Sequence, residues 1–352
     1  MSLGDGFYLR AQKDFIAFIA ENAPRWQAHP TLPEDVLAQL VERGLFKLFV
    51  PKSFGGLALS LREAAALYAA LARADGSVAW LVQIGAGGGF FVPSFPPEVA
   101  KAFFSPQQAV IAGSGYPSGR AYRVTGGYRV SGTWRYASGA QYASLFTANA
   151  VLPEEGNAIR AFAFPREAVE LIPDWHAMGM RATSSWSFRV TEVFVPEAHS
   201  FVVGEQLWDP GLPVYRIPFG LFALVSIGAV AYGLVMAFLD EAVASLAHAL
   251  ERRQRVAAYR RKARWHGRIL FGLISGLERA AGNGMTAQEQ RQWAERIGVH
   301  LESMRRLTLA ALPCCGMLAV QETSRLNRIL RDMLAIGQHQ IFRGGTFGCA
   351  HL

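Results

Sequence analysis

The sequence predicts an α+β chain of three parts. These are an N-terminal helical domain over residues 1–108, a central β-barrel or sandwich over 109–212, and a C-terminal antiparallel four-helix bundle over 213–352. Three observations predict this order. Apolar residues recur at helical spacing through roughly the first hundred positions. From about residue 109, β-branched and aromatic residues alternate between glycine turns. From about residue 213, long helical segments return, joined by connections short enough to favour antiparallel neighbours.

LPEDVLAQLVERGL (32–45) has Pro33 and acids in its first turn and Gly44 near its end, the start and stop signals of a helix. FVPKSFGG breaks the chain with Pro51 and the Gly55–Gly56 pair. SLREAAALYAALARADGSVAWLVQIG (60–85) places Leu61, Ala65, Leu67 and Leu71 at helical spacing. YRVTGGYRVSG reads as a hairpin turning at Gly126–Gly127. FTANAVL, IRAFAFP, VELIP and FRVTEVFVP continue the strands to about residue 203. Four helical segments follow, near 217–253, 256–281, 286–316 and 320–338.

Composition narrows the function classes. Of 352 residues, 51% are apolar and 18% charged, which calls for large buried interfaces within the chain or between copies. The net charge of +8 suits a soluble basic surface or an anionic partner such as a phosphate-bearing cofactor. No recognised nucleic-acid module is present, so nucleic acid is not the expected partner. Cys314, Cys315 and Cys349 are odd in number and form no CxxC, so neither a disulfide framework nor a metal site is expected, and a reducing cytoplasm fits. The first twenty residues carry charges throughout, unlike a signal peptide. The uncharged run at 217–239 is long enough to cross a membrane, or to be the centre of a bundle. Its charged, amphipathic continuation and the lack of a second such run favour the bundle. The basic run at 251–264 reads as a solvated helix face, with Arg255 or Arg260 as candidates to reach a phosphate across a subunit interface.

In GTWRYASGAQYASLF (132–146), Trp134, Ser138 and Gly139 stand at the end of a hairpin. An aromatic slab beside a small hydroxyl would suit a flat, hydrogen-bonding ring. The plainer alternative is a tryptophan that fills the strand core, and spacing alone favours that. The next stretch, WHAMGMRATSSWSFRVTEVFVPEAHSF (175–201), resembles the signature of the acyl-CoA dehydrogenase superfamily, at Met178-Gly179-Met180-Arg181, Ser184-Ser185 and Val193-Phe194-Val195-Pro196. ERGLFKLFVPKSFGGLALS (42–60), ADGSVAWLV (74–82) and SGTWRYASGA are similar to further elements of that family, in the same order.

The resemblance implies a helical–β–helical fold, a flavin (FAD or FMN) held between the β domain and the bundle, and a homotetramer or dimer. It makes 217–239 a buried bundle helix rather than a membrane span. It also implies flavin contacts at Trp134, Ser138 and Ser184, with Arg181 in support. Dehydrogenases of this family need a carboxylate base, yet the tail IFRGGT places Arg343 where a glutamate usually stands. Between Glu205 and Glu241 the only acids are Asp209 and Asp240. Arginine stays protonated and cannot be a base.

LNRILRDMLAIGQHQ (326–340) instead resembles the flavin-dependent, two-component monooxygenases of this fold. That implies catalytic roles for His339, in the reaction of reduced flavin with oxygen, and for Ser138, at flavin N5. A small organic substrate, aromatic ones included, and a separate flavin reductase are the implied partners. The tail GQHQIFRGGT (337–346) is then one wall of the flavin pocket. QIGAGGGFFVPSF (83–95) lacks the histidine that aromatic hydroxylases of the group carry there, and is expected as a loop leaving space for substrate or close backbone approach. Two alternatives stay open: a dehydrogenase with a displaced base at Asp240 or Glu241, and a non-catalytic flavin- or acyl-binding paralogue.

Overall fold

The computed structural model of the protein describes residues 7–342. Arg343 to Thr346 of the tail, and Cys349, lie outside the described residues.

The N-terminal part packs α1 (Phe7–Ala11), α2 (Lys13–Asn22), α3 (Glu34–Glu42), α4 (Leu61–Ala74), α5 (Gly76–Gly87) and α6 (Pro97–Phe104). The helical run expected across 60–85 is two helices. Ser60 and Glu63 close a capping box at the start of α4. Asp75 then stops α4 and caps α5, its carboxylate accepting the Val78 N–H at 3.0 Å. The glycine-rich stretch after α5 is not an open loop. It continues as a 3₁₀ turn over Gly88–Ser94, and a Cβ on Gly88 would lie 2.4 Å from the Ile111 side chain. Gly88 lets this turn press against Ile111 of the β domain.

The middle part is one seven-stranded sheet. Its strands are β1 (Ile111–Val124), β2 (Gly127–Ala137), β3 (Leu145–Leu152), β4 (Ala158–Pro165), β5 (Glu170–Ile172), β6 (Trp186–Pro196) and β7 (Ser200–Phe201). The order across the sheet is β5-β6-β2-β1-β3-β4-β7. The β1–β2 hairpin pairs Val124 with Gly127 around the expected turn. β1 and β3 run parallel and the remaining pairs antiparallel. Although β4 and β6 are not neighbours in the sheet, they touch, because the sheet curls around its own aromatic core.

The C-terminal part holds α7 (Phe219–Ser245), α8 (Leu250–Ala281), α9 (Ala287–Cys315) and α10 (Arg325–Ile336). The break between the first two falls at 246–249, not near 254. SLAHAL has no proline or glycine to mark it. Helix α7 is long and apolar enough to span a membrane, yet 89% of its most apolar window is buried. It packs against α4, α5, α8, α9 and α10, so its all-round hydrophobicity serves the interior of the bundle.

Candidate active site

The candidate site forms where the end of β2, helix α5 and the end of α10 meet. Strand β2 ends at Ala137. The turn that follows is tight: Tyr136 has φ +65° and Gly139 φ +82°, and the Ser138 N–H bonds back to Tyr136 O at 3.0 Å. Gly139 N–H donates to Thr183 O at 2.8 Å, which ties this turn to the Met178–Ser185 segment. In that segment Met180 (φ +53°) and Ser184 (φ +45°) are also left-handed. Non-glycine residues in this region cost roughly 1–3 kcal/mol each and persist only where the surroundings hold them.

The surroundings here are specific. Met180 donates its N–H to Asp332 Oδ1 at 2.6 Å. Its carbonyl accepts the Trp175 indole N–H at 2.9 Å and the Thr183 hydroxyl at 2.8 Å. Arg331 Nη1 donates to Met178 O at 3.1 Å. A Cβ on Gly179 would lie 2.1 Å from Arg331 O, so only glycine lets this segment meet the α10 backbone. The Met-Gly-x-Arg motif is therefore the docking surface for α10.

Ser138 is 5% exposed and belongs to a chain of hydroxyls. Trp80 of α5 donates its indole N–H to Ser138 Oγ at 2.8 Å. Ser138 meets Ser185 at 2.7 Å, and Ser185 meets Thr183 at 2.6 Å. The direction follows from counting protons. The indole only donates, the Met180 carbonyl only accepts, and each hydroxyl has one proton. The protons therefore run one way, from Trp80 through Ser138, Ser185 and Thr183 to Met180 O. Ser138 keeps one lone pair free and has no proton left to give.

His339 follows α10 and meets Trp80 edge-on, with ring centres 5.8 Å apart. Its Nδ1 accepts the Ile341 N–H at 3.3 Å, so the ring proton sits on Nε2. Burial pushes its pKa down to about 4, which leaves the imidazole neutral near pH 7. Trp80, Ser138 and His339 thus gather a spare acceptor and a neutral N–H donor around an indole. On the outer side, Tyr136 is 67% exposed and touches Trp175 edge-on at 6.1 Å. This donor and acceptor set, with exposed aromatic surface beside it, fits a planar heterocycle of mixed polarity.

A recess of about 250 Å³, open solvent included, adjoins this segment and is lined by Asp75, Arg181, Arg328, Arg331 and Asp332. Burial, then the neighbouring charge of Asp75, pushes the Asp332 carboxyl up to about 7. Burial likewise raises Asp75.

The remaining candidates fall elsewhere. Trp134 is a correction. Its ring is fully buried, stacked on Phe188 at 5.2 Å, with its N–H donated to Asn149 O at 2.8 Å. Gly119 and Gly132 close over it, since a Cβ on either would lie within 2.7 Å of the indole. It fills the β core and has no face for a ligand. Ser184 turns its hydroxyl to Pro30 O at 3.2 Å, and Arg181 reaches Ala28 O at 3.5 Å, so both brace the segment against the N-terminal part. Arg260 is paired with Asp240 at 3.3 Å and Arg255 with Glu251 at 3.5 Å, which accounts for both as helix-face ion pairs. The displaced bases are also engaged. Asp240 meets Arg73 at 2.6 Å and Arg264 at 3.5 Å, and Glu241 meets Arg325 at 2.9 Å.

Sequence reasoning missed Trp80, Thr183, Ser185, Tyr136, Trp175 and Asp332 as partners. Trp80, Ser185 and Asp332 stood inside the motifs, but nothing in the spacing joins positions 47 to 152 residues apart.

Comparison with known proteins agrees with this fold. Residues 10–105 match the family model described as acyl-CoA dehydrogenase, N-terminal domain. A pigment production hydroxylase of a Rhodococcus species is 27% identical over 232 residues, 63% of this chain and 60% of that protein. The oxygenase subunit HsaA of a flavin-dependent monooxygenase of Rhodococcus jostii is 28% identical over 235 residues, 63% of this chain and 61% of that protein. The matches thus span about three-fifths of the length of these relatives. The structure of XiaF from Streptomyces, solved with FADH2 and glycerol, superposes with a TM-score of 0.85 at 20% identity, over 95% of this chain and 91% of that one. The chain therefore has the acyl-CoA dehydrogenase-like fold, and its residues 10–105 are similar to the N-terminal domain of that family.

Proposed function

We propose that the chain is a flavin-dependent oxidoreductase, the oxygen-using component of a two-component monooxygenase that acts on a small organic substrate. The observation that carries this reading is the meeting of Ser138, Trp80 and a neutral His339 at one point, while Asp240 and Glu241 are held in ion pairs. The names of the hydroxylase and of the flavin-dependent oxygenase subunit support it, as does the FADH2 held by a protein of the same fold.

The bound flavin would supply electrons to oxygen. Ser138 would contact the edge of the ring system, and Tyr136 with Trp175 would offer the aromatic surface first assigned to Trp134. Arg181 and Ser184 would support the binding segment. His339 would donate a hydrogen bond from Nε2 to developing negative charge without carrying a charge of its own. Since the glycines at 85–89 lie in the end of α5 and the 3₁₀ turn that continues it, and follow no strand, they are not a dinucleotide loop, and reduced flavin would come from a separate reductase. Either FAD or FMN would serve. Exposed Trp265, Val299 and Leu309 on α8 and α9 support association of copies into a dimer or tetramer. The free, buried Cys314 and Cys315 suit the cytoplasm.

The test is rapid mixing of oxygen with the protein and reduced FMN or FAD. A protein-dependent absorbing transient, followed by oxygenated product when substrate is present, is expected. A tightly bound yellow flavin bleached by an acyl-CoA would overturn the reading in favour of dehydrogenation.

A further inference from the structure

The hydroxyl chain behind Ser138 has a fixed polarity, and what fixes it lies at its far end. Met180 is left-handed, and its carbonyl receives the last proton, from Thr183. Met180 is held in that conformation by the bond from its N–H to Asp332 Oδ1 at 2.6 Å. Asp332 itself is buried, pressed against Gly76 and flanked by Asp75, Arg328 and Arg331. Helix α10 therefore reaches Ser138 by two routes: through His339 and Trp80 on one side, and through Asp332, Met180, Thr183 and Ser185 on the other.

We propose that Asp332 is a positioning residue that makes Ser138 an acceptor only, so that the site distinguishes the redox states of the flavin. The inference rests on the functional reading above. Reduced flavin carries a hydrogen on N5 and donates there, whereas oxidised flavin has a bare N5 that only accepts. Ser138 has one lone pair open and its proton already committed to Ser185, so it complements the reduced ring and leaves the oxidised ring without a donor. With the Asp332 contact removed, Met180 relaxes and its carbonyl leaves Thr183. The proton order can then reverse, and Ser138 can donate to either ring.

The experiment compares anaerobic binding of reduced FMN with binding of oxidised FMN by the full chain and by Asp332→Ala, Asp332→Asn, Thr183→Val and Ser185→Ala variants. Amide hydrogen exchange at Met180 is followed in the flavin-free proteins. The ratio of affinities should fall about tenfold, the worth of one hydrogen bond, in Thr183→Val, Ser185→Ala and Asp332→Ala. Asp332→Asn, which keeps an oxygen acceptor for Met180, should preserve both the ratio and the amide protection that Asp332→Ala loses. If flavin binds and the ratio is the same in Thr183→Val and Ser185→Ala as in the parent, the positioning role is wrong. If the parent binds FMN in neither redox state, the functional reading fails and this inference with it.

Discussion

Trp80 and Ser138 are joined by a 2.8 Å hydrogen bond across 58 residues of sequence, and the same indole meets His339 edge-on. This contact fastens the N-terminal helices to the end of the β2 strand and to the tail of the bundle. Replacing Trp80 by Phe keeps most of the ring and removes the donor, leaving Ser138 one acceptor site short inside the protein. Chemical unfolding should show a loss of about 1 kcal/mol with an unchanged denaturant slope. A changed slope would mean that the variant altered more than this bond.

Gly179 to Ala should be far more costly than its size suggests. The added methyl would overlap Arg331 O, a backbone atom of a packed helix that has no side-chain freedom to move aside. We expect a loss of roughly 2–4 kcal/mol, read as a lowered unfolding midpoint, together with loss of the Met180 amide protection. Full stability in this variant would show that α10 is not seated on the Met178–Ser185 segment.

The three-part order was legible because each part has its own period, and YRVTGGYRV carried its own turn. Ser138 and His339 were singled out from motif words, and the fold brings both against Trp80. Trp134 misled because the glycines that bury it, Gly119 and Gly132, look like ordinary turn residues in the sequence. The break between α7 and α8 was invisible because SLAHAL is mostly Ala and Leu, both good helix formers, and has no proline or glycine. The hydroxyl chain from Ser138 to the Met180 carbonyl could not be read at all: hydroxyl partners are chosen by tertiary approach, and Ser, Thr and Trp carry no spacing rule.

His339 makes stability depend on pH on the acid side. Its folded pKa, about 4, lies below the unfolded value, so the unfolded chain binds the extra proton between about pH 4 and 6.5. Stability is then present above the unfolded pKa and lost as pH falls, by at most about 3 kcal/mol. His339→Gln should flatten that acid-side loss when unfolding is compared at about pH 7 and about pH 5. An unchanged pH dependence would mean that the imidazole is already solvated in the folded protein.

Asp332 works in the opposite sense. Its folded pKa, about 7, is raised above the unfolded carboxyl value, so the folded state holds the proton longer. Stability falls as pH rises from about 4 to 7, with Asp75, Arg328 and Arg331 setting the local balance. Asp332→Asn should therefore gain stability relative to the parent as pH rises through that window. A parallel pH profile for the two proteins would show that Asp332 ionises normally.

Asp240→Asn and Glu241→Gln should each cost about 1 kcal/mol or less, since all their arginine partners but the more buried Arg260 are nearly half-exposed. Oxygen-dependent turnover should be unchanged in both. Loss of turnover, with flavin binding intact, would place a base on α7 and revive the dehydrogenase alternative.

Whether flavin lodges against Ser138 at the end of β2 is decided by anaerobic titration of the parent and of Ser138→Ala with reduced FMN and FAD. We expect saturable binding of reduced flavin by the parent and an affinity about tenfold weaker in Ser138→Ala. Equal affinities in the two proteins, or no binding by the parent, would contradict it.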